Sequence, residues 1–203
     1  MVTDPTVFIV DDDGDMRLAL GRLFDAICLP VELFESAEQF LQSGRMNCPG
    51  CLLLDVRMPG MGGMGLLAQL QTLHTHIPVI LLTGHGDIAM AVQTLKSGAL
   101  DFIEKPPDPD KLLDAVRNAL AVDRARRERD LEDCRFQQSL AALSQREREV
   151  LEKMANGVAN KVIALDLGIS ERTLEKHRKH IMEKMGVRTV AELIRTLVLN
   201  GFR

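Results

Sequence analysis

The chain has 203 residues, of which 46% are hydrophobic and 27% charged, values ordinary for a soluble protein of one or two domains. No uninterrupted apolar run approaches the roughly 20 residues that span a bilayer, and the N-terminal "MVTDPTVFIV" lacks the features of a secretory signal, so we expect a cytoplasmic protein with no membrane partner. Aromatic residues make up only 3% of the chain, which argues against recognition of single-stranded nucleic acid by base stacking.

The net charge of −4 is unevenly distributed along the chain. Residues 1–120 carry 8 Lys/Arg against 16 Asp/Glu, whereas residues 144–203 carry 12 against 8. An acidic first part and a basic last part predict two domains, with any nucleic-acid contact in the second.

Short apolar runs recur through the first 105 residues and predict five β-strands, at 6–10, 29–34, 51–55, 78–83 and 100–105. Between them, apolar residues at helical spacing predict helices at 14–27, 36–43, 64–74 and 87–97. Strands that alternate with helices favour a parallel sheet covered on both faces. The expected fold is therefore a doubly wound α/β domain of about 120 residues.

Polar residues stand where these strands end, and ligands of such folds bind beyond the carboxyl ends of the strands. The strand ends carry Asp11, Asp12, Asp13, Asp55, Thr83 and Lys105. Clustered carboxylates repel one another unless a cation lies among them, and few oxygen ligands suit Mg²⁺. With a lysine and a hydroxyl to hold an oxyanion, the set predicts a phosphoryl-transfer site in which a carboxylate can be the nucleophile.

The acidic run "DDDGD" (11–15) has other interpretations when taken alone. It is typical of a solvated turn, and it is similar to a calcium loop, although Gly14 is misplaced and no Glu closes the loop. Asp11-x-Asp13 after a strand is also found in aspartate-nucleophile phosphatases, which need much more chain for a cap and a substrate pocket. The specific signal is the joint order of the strand-end residues.

Four segments, "VFIVDDD", "LLLDVRMPGMGG", "VILLTGHGD" and "GALDFIEKP", resemble in sequence and order the receiver domain of two-component response regulators. The resemblance covers residues 5–120 and implies a flavodoxin/CheY-like sheet. It implies that Asp55 is the phosphoacceptor. It also implies a Mg²⁺ site made by Asp12 and Asp55 directly, by Asp11 through water, and by the backbone carbonyl of Arg57.

The same resemblance assigns the remaining residues of the expected site. Thr83 and Phe102 correspond to the switch pair that responds to the phosphoryl group, and Lys105 pairs with the phosphoryl oxygens. The Lys105–Pro106 bond is expected to be cis. Pro107 replaces a residue that is often Phe in the family, which affects only local packing, and His85 has either a loop-shaping role or a direct effect on phosphoryl lifetime.

The segment that follows is predicted to be one long helix, with Asp108 as its N-cap and Pro109 at its first position. No Gly or Pro follows until Gly157, and the apolar positions thin out after Val122. Residues 121–140 are therefore interpreted as a solvated helical linker. A self-associating helix is the alternative, although too few apolar heptads are present for a coiled coil.

Three helices are predicted next, from caps and glycine stops. The first begins with a capping box, Ser144-x-x-Glu147, and ends at Gly157. The second, in "NKVIALDLG", is capped by Asn160, and the third, in "ISERTLEKHRKHIMEKMG", is capped by Ser170. The last two are joined by "LGIS", as in a helix-turn-helix.

The third of these helices combines an apolar stripe, Leu174, Ile181 and Met185, with basic residues around the rest. A basic helical face is often only solvated, but this helix is the one that the motif places in the DNA major groove. Basic groups there contact phosphates, and an Arg or Lys can read guanine edges. The candidate DNA contacts are Asn160, Lys161, Arg172, Thr173, Lys176, His177, Arg178 and Lys179.

Residues 140–203 resemble the LuxR/NarL-type DNA-binding domain, and "RTLEKHRKHIMEKM" is closest to the FixJ subgroup. Glu175 stands where many relatives outside that subgroup carry Lys, and Lys176 stands where FixJ-like members carry Val, so base preference does not transfer. His177 corresponds to the family's histidine, with a structural or phosphate-contact role or, alternatively, base reading. The amphipathic segment 189–202 corresponds to the helix of the DNA-bound dimer contact.

Four cysteines remain to be explained, of which Cys48 and Cys51 form a C-x-x-C motif. A redox pair or half of a zinc site is one interpretation. No second C-x-x-C or suitably spaced His pair completes a zinc site, and Cys51 opens a strand rather than a helix. We expect reduced cysteines in a cytosolic protein.

Together these patterns predict a phosphorylation-activated transcriptional regulator with a receiver domain at 1–120, a helical linker at 121–140 and a DNA-binding domain at 141–203. Its expected partners are a sensor histidine kinase, double-stranded promoter DNA, a second copy of the chain and RNA polymerase. It is not expected to be an enzyme with an outside substrate. The alternatives are a redox-responsive or constitutive DNA-binding regulator with a vestigial receiver, and a free-standing aspartate phosphatase.

Overall fold

The computed structural model of the chain describes residues 4–84 and 98–202. Within it, the chain divides into two compact units, the first ending at Arg127 and the second beginning at Glu128. The division falls inside the predicted linker. The predicted helix 87–97 and His85 lie outside the described residues.

The first unit contains a five-stranded parallel sheet with the strand order β2-β1-β3-β4-β5. Its strands are β1 Thr6–Val10, β2 Val31–Phe34, β3 Gly50–Asp55, β4 Val79–Thr83 and β5 Asp101–Glu104. Every residue of the central strand β3 is buried, as a continuous apolar run in a parallel sheet requires. The predicted doubly wound α/β fold is confirmed.

Helices cover both faces of this sheet: α1 Gly14–Asp25, α2 Ala37–Gln42, α3 Gly62–Thr72 and α4 Pro109–Ala141, with a 3₁₀ turn at Arg45–Asn47. Alternate residues of β1 point to opposite faces. Phe8 belongs to one apolar cluster, with residues of α2 and α3, whereas Ile9 belongs to the other, with residues of α1 and α4.

Helix α4 has 33 residues and begins as predicted, because the Asp108 carboxylate accepts the Asp110 N–H at 3.0 Å. Its middle is not solvated throughout. Asp123 is 2% exposed, and it accepts the Gly50 N–H at 3.0 Å and the Arg127 Nε–H at 2.7 Å. Arg127 also donates to the Cys48 carbonyl at 2.6 Å. The interpretation of 121–140 as a solvated linker is therefore wrong at these two residues, which bind the loop before β3.

This contact also explains the "CPGC" motif. Gly50 has φ +147°, and a Cβ there would lie 1.9 Å from the Thr6 carbonyl oxygen, so only glycine fits beside β1. Burial, and then the charge of Asp123, raise the pKa of the Cys51 thiol to about 12. A thiol with that pKa is a poor nucleophile. The motif thus provides the backbone groups that hold α4.

Replacing Asp123 with alanine is expected to lower the free energy of unfolding by about 3 kcal/mol, because it leaves the Gly50 N–H and Arg127 without their buried partner. Urea unfolding followed by circular dichroism measures this free energy. The loss is expected in the transition in which the unit that contains the sheet unfolds. The matched control is Asp133→Ala, an exposed aspartate on the same helix. Equal midpoints for the two variants would refute the buried role of Asp123.

The second unit contains helices α5 Gln145–Ala155, α6 Asn160–Asp166, α7 Glu171–Lys184 and α8 Val190–Leu199. The capping box of Ser144 and Glu147 and the Ser170 cap are present as predicted. Val150, Leu174 and Ile181 form part of one apolar core. No helix in the described ranges is long and apolar enough to cross a membrane.

One predicted cap is wrong. Ala159 occupies the N-cap position of α6, and Asn160 is the first helical residue. The reason is that the Asn160 side chain is engaged by α7: its carbonyl oxygen accepts from Arg178, and its amide donates to Glu175. It therefore does not bind the free N–H groups of its own helix.

Candidate functional site

The carboxyl edge of the sheet gathers three carboxylates. Strands β1 and β3 are neighbours with Val10 opposite Leu54, so Asp11 and Asp55, one residue further, emerge side by side. Both are buried, whereas Asp12 is exposed. One oxygen from each of the three lies within 4.8 Å of the others. These three predicted site residues are thus brought together.

Lys105, which follows β5, binds two of these carboxylates. Its Nζ lies 2.6 Å from Asp11 Oδ2 and 2.9 Å from Asp55 Oδ2, and its side chain is 19% exposed. Burial would lower the pKa of the ammonium, but its hydrogen bonds to the two carboxylates raise it. The lysine therefore stays charged and offsets the repulsion between two buried acids.

The Asp55 carboxyl is held in an environment that disfavours its charge. Burial raises its pKa, and the hydrogen bond and charge of Lys105 counteract this only in part. Its Oδ1 accepts the Arg57 N–H at 3.2 Å. Lys105 and the Arg57 backbone thus fix both oxygens of a carboxylate at the end of a rigid, buried strand.

Two further contacts at this edge escaped the sequence reasoning. Asp13 was grouped with the strand-end acids, but its side chain accepts from the N–H groups of Asp15 and Met16 and caps α1. An aspartate directly before a helix was the signal for this role. Arg17 donates to the Asp11 carbonyl at 2.6 Å and fixes the backbone there, for which no local signal exists.

The residues present fit a Mg²⁺ ion. The site offers hard carboxylate oxygens from Asp11, Asp12 and Asp55, one of them exposed to water. Mg²⁺ prefers few protein oxygens and keeps several waters. The Arg57 carbonyl, the remaining predicted ligand, belongs to the residue whose N–H already binds Asp55.

The predicted switch residues lie on the two strands beyond β3. Thr83 ends β4 and is 5% exposed, and its carbonyl accepts the Lys105 N–H at 2.7 Å. Phe102, opposite Leu81 on β5, is half-buried and lines a cleft with Glu104 and Lys111. The Lys105–Pro106 bond is cis, as predicted.

Helix α7 of the second unit presents most of the predicted DNA contacts. Arg172, Lys176 and Lys179 are exposed, and so is Lys161 on α6. The others, Thr173, His177, Arg178 and Asn160, are half-buried. The structure thus places a strip of three basic side chains on the outer face of α7, opposite the buried Leu174.

A buried ion pair joins α5 to the end of α7. Glu147 is 4% exposed, and its Oε2 accepts from Lys184 Nζ at 2.7 Å and from the Ser144 N–H at 2.8 Å. Burial raises its pKa, but the hydrogen bonds from Lys184 and Ser144 outweigh that effect and lower it to about 2. The capping box was predictable, but Lys184 is 37 positions away and gave no local signal.

Replacing Glu147 with glutamine is expected to lower the free energy of unfolding at pH 7 by about 1–2 kcal/mol, a value reduced for solvent screening of the half-exposed Lys184. Because the folded pKa lies below its ordinary value of 4.5, this stabilisation is present above pH 4.5 and is lost as the pH falls through about 2. The difference in the free energy of unfolding between variant and parent should therefore shrink as the pH falls from 4.5 to about 2. Urea unfolding repeated at a series of pH values measures it.

The control for this prediction is Glu152→Gln, which removes an exposed carboxylate from the same helix. It should change stability by less than about 0.5 kcal/mol at each pH. A difference between Glu147→Gln and the parent that stays constant from pH 7 to below pH 3 would rule out the ion pair as its cause.

Comparisons with known proteins match both parts of the chain to described families. Residues 7–117 match the family described as the response regulator receiver domain, and residues 141–197 match bacterial regulatory proteins of the luxR family. Nodulation protein W of Bradyrhizobium diazoefficiens is 44% identical over 193 residues, covering 95% of this chain and 85% of that protein. Transcriptional regulatory protein FixJ of Azorhizobium caulinodans is 44% identical over 197 residues, covering 96% and 92%.

Two solved structures are similar to this chain over nearly its whole length. The response regulator StyR is 40% identical, with a TM-score of 0.91 over 97% of this chain and 100% of that one. Full-length FixJ from B. japonicum is 35% identical, with a TM-score of 0.61 over 99% of both chains.

Proposed function

Since the chain belongs to the response regulators that join a receiver domain to a LuxR-type DNA-binding domain, we propose that phosphorylation of Asp55 controls its binding to promoter DNA. The proposed receiver spans 1–120, the linker 121–140 and the DNA-binding domain 141–203. The observation that carries the proposal is the contact of Lys105 with both Asp55 and Asp11 at the end of the central strand.

In the proposed reaction, a carboxylate oxygen of Asp55 attacks the phosphorus of a phosphohistidine on a sensor kinase. The P–N bond breaks, the imidazole leaves, and Asp55 becomes an acyl phosphate. Water later attacks the phosphorus, the bond between phosphorus and the Asp55 oxygen breaks, and inorganic phosphate leaves. Lys105 offsets the charge of the phosphoryl oxygens, and Thr83 provides a hydroxyl next to them.

Asp12 and Asp55, with Asp11 through water and the Arg57 carbonyl, are the residues that would hold Mg²⁺. When bound, the ion supplies charge neutralisation for the phosphoryl oxygens. One ammonium, that of Lys105, contacts the carboxylates of both Asp11 and Asp55. A single positive charge does not balance these two carboxylates and Asp12, which supports a cation at this site.

The response is proposed to pass through Thr83 and Phe102, which lie on adjacent strands and would shift once Asp55 is phosphorylated. The altered surface of β4 and β5 would then favour a homodimer, so that two copies of α7 bind paired half-sites in the cytoplasm and act on RNA polymerase. Exposed Val198 and Leu199 on α8 are available for a contact between DNA-binding domains.

The rival redox function has weaker support. Cys51 is fully buried, with a pKa of about 12, and the loop that carries Cys48 is held by Asp123 and Arg127. Neither feature suits a thiol that must react with an oxidant.

A selection from random duplex DNA tests the proposed function. Protein treated with beryllofluoride, a mimic of the phosphoryl group, should enrich paired half-sites that untreated protein enriches weakly or not at all. Enrichment of the same sequences to the same degree by both forms would contradict control through Asp55.

A further inference from the structure

Glu175 is an acidic side chain on the helix that carries the predicted DNA contacts. It is the fifth residue of α7, and its side chain is 63% exposed. Arg172, Lys176 and Lys179 on the same helix are exposed basic residues. Phosphate binding does not explain a carboxylate at this place, because phosphates repel it.

The Glu175 carboxylate is held by a small network. Asn160 Nδ2 donates to its Oε1 at 3.2 Å, and Arg178 Nη1 lies 3.8 Å from the same oxygen. Arg178, whose side chain is 21% exposed, also donates to the Asn160 carbonyl. In the described contacts, both partners engage Oε1, so Oε2 stays available as an acceptor.

The chemistry of the major groove limits what such a group can bind. In a helix-turn-helix, residues in the N-terminal part of the second helix meet base edges. A carboxylate only accepts hydrogen bonds, and the donors on major-groove base edges are the exocyclic amino groups, N4 of cytosine and N6 of adenine. Cytosine N4 is the usual partner of a glutamate.

We propose that Glu175, positioned by Asn160 and Arg178, accepts a hydrogen bond from the exocyclic N4 amino group of cytosine and so sets the base preference at one position of each half-site. This inference rests on the proposed function, since it needs α7 in the major groove. Fixing the carboxylate in advance reduces the side-chain entropy lost on binding. Arg178 also offsets part of its repulsion from the phosphates.

Glu183 provides a matched control. It lies eight residues further along α7, away from the N-terminal part, and its Oε1 is 3.8 Å from Lys179 Nζ. Glu175→Gln and Glu183→Gln each remove one negative charge from the same helix, so both should raise non-specific affinity. Only the first should alter which base is preferred.

The experiment selects sites from random duplex DNA with the full chain after beryllofluoride treatment, for the parent and both variants. Binding is then measured on four duplexes that differ only at the base pair where parent and Glu175→Gln diverge most. The parent should favour cytosine by about tenfold, and a parent that favours any other base at that position overturns the inference. Glu175→Gln should either reduce a cytosine preference to below about threefold or shift it towards adenine, the base that a glutamine pairs with.

Asn160→Ala tests the positioning role separately. It should weaken the preference at the same base pair while leaving the phosphate-dependent salt slope unchanged. A parent that enriches no site overturns the proposed function and this inference with it. A site that the parent and Glu175→Gln enrich with the same base preferences overturns the inference alone.

Discussion

Replacing Asp55 with asparagine is expected to abolish phosphorylation of the chain by acetyl phosphate. The amide has nearly the same volume but lacks the nucleophilic oxygen that the reaction needs. The fold should persist, because burial disfavours the Asp55 charge and Lys105 keeps its 2.6 Å contact with Asp11. Radiolabelled acetyl phosphate in the presence of Mg²⁺ measures the incorporation, and the expected result is no label.

Asp13→Asn is the matched control for this experiment, since it removes a carboxylate from the same edge of the sheet. Its side chain caps α1 through Asp15 and Met16, a role that asparagine also fills. We expect this variant to incorporate label as the parent does. An acyl phosphate that still forms in Asp55→Asn would show that another carboxylate is the nucleophile.

Replacing Lys176 and Lys179 together with alanine is expected to weaken DNA binding by roughly ten- to a hundredfold at about 0.1 M salt. Both side chains are exposed on the outer face of α7, where they can reach phosphates. Removing two phosphate contacts should reduce the slope of log K against log salt by about 1.8 per bound subunit. Affinity measured over a series of salt concentrations gives both numbers.

The control removes two positive charges from helix α4 instead, as Arg129→Ala with Arg135→Ala, both exposed. It tests whether the loss follows from net charge or from the position on α7. If this double variant loses as much affinity and as much salt slope as the lysine pair, α7 is not the helix that contacts DNA.

The strands were predictable because a buried parallel strand reads as an apolar run, and all five were confirmed. The limits of the elements were less so. The second run was predicted from Leu29, but β2 begins at Val31, because Pro30 has no N–H to donate to the ladder, although its carbonyl already accepts from the Val7 N–H. Apolar character alone does not reveal where a ladder of hydrogen bonds begins.

The meeting of Asp11, Asp55 and Lys105 was also predictable, since parallel strands end at the same edge. That one ammonium binds both carboxylates depends on side-chain reach and was not. Asp13 and Asn160 are both good capping residues, but the first caps α1 while the second is engaged by Arg178. For Asn160, a tertiary partner outweighed the local preference.

The contacts that were missed join residues far apart in the sequence. Asp123 binds Gly50 across 73 positions, and Glu147 binds Lys184 across 37. Each aspartate or glutamate also had an ordinary local explanation, as part of a charged helix or of a capping box. The long-range contacts of Asp123 and Glu147 become visible only from the burial of their side chains, and that burial depends on how the whole fold packs.

The measurement that tests the central claim most directly is the dissociation constant of the chain for its selected DNA site, before and after treatment with acetyl phosphate and Mg²⁺. For the parent, treatment should tighten binding by about tenfold or more, within the range of typical couplings between sites. For Asp55→Asn, treatment should change nothing. A parent whose affinity is unaffected by treatment, or an Asp55→Asn variant that tightens equally, would contradict control of DNA binding by phosphorylation of Asp55.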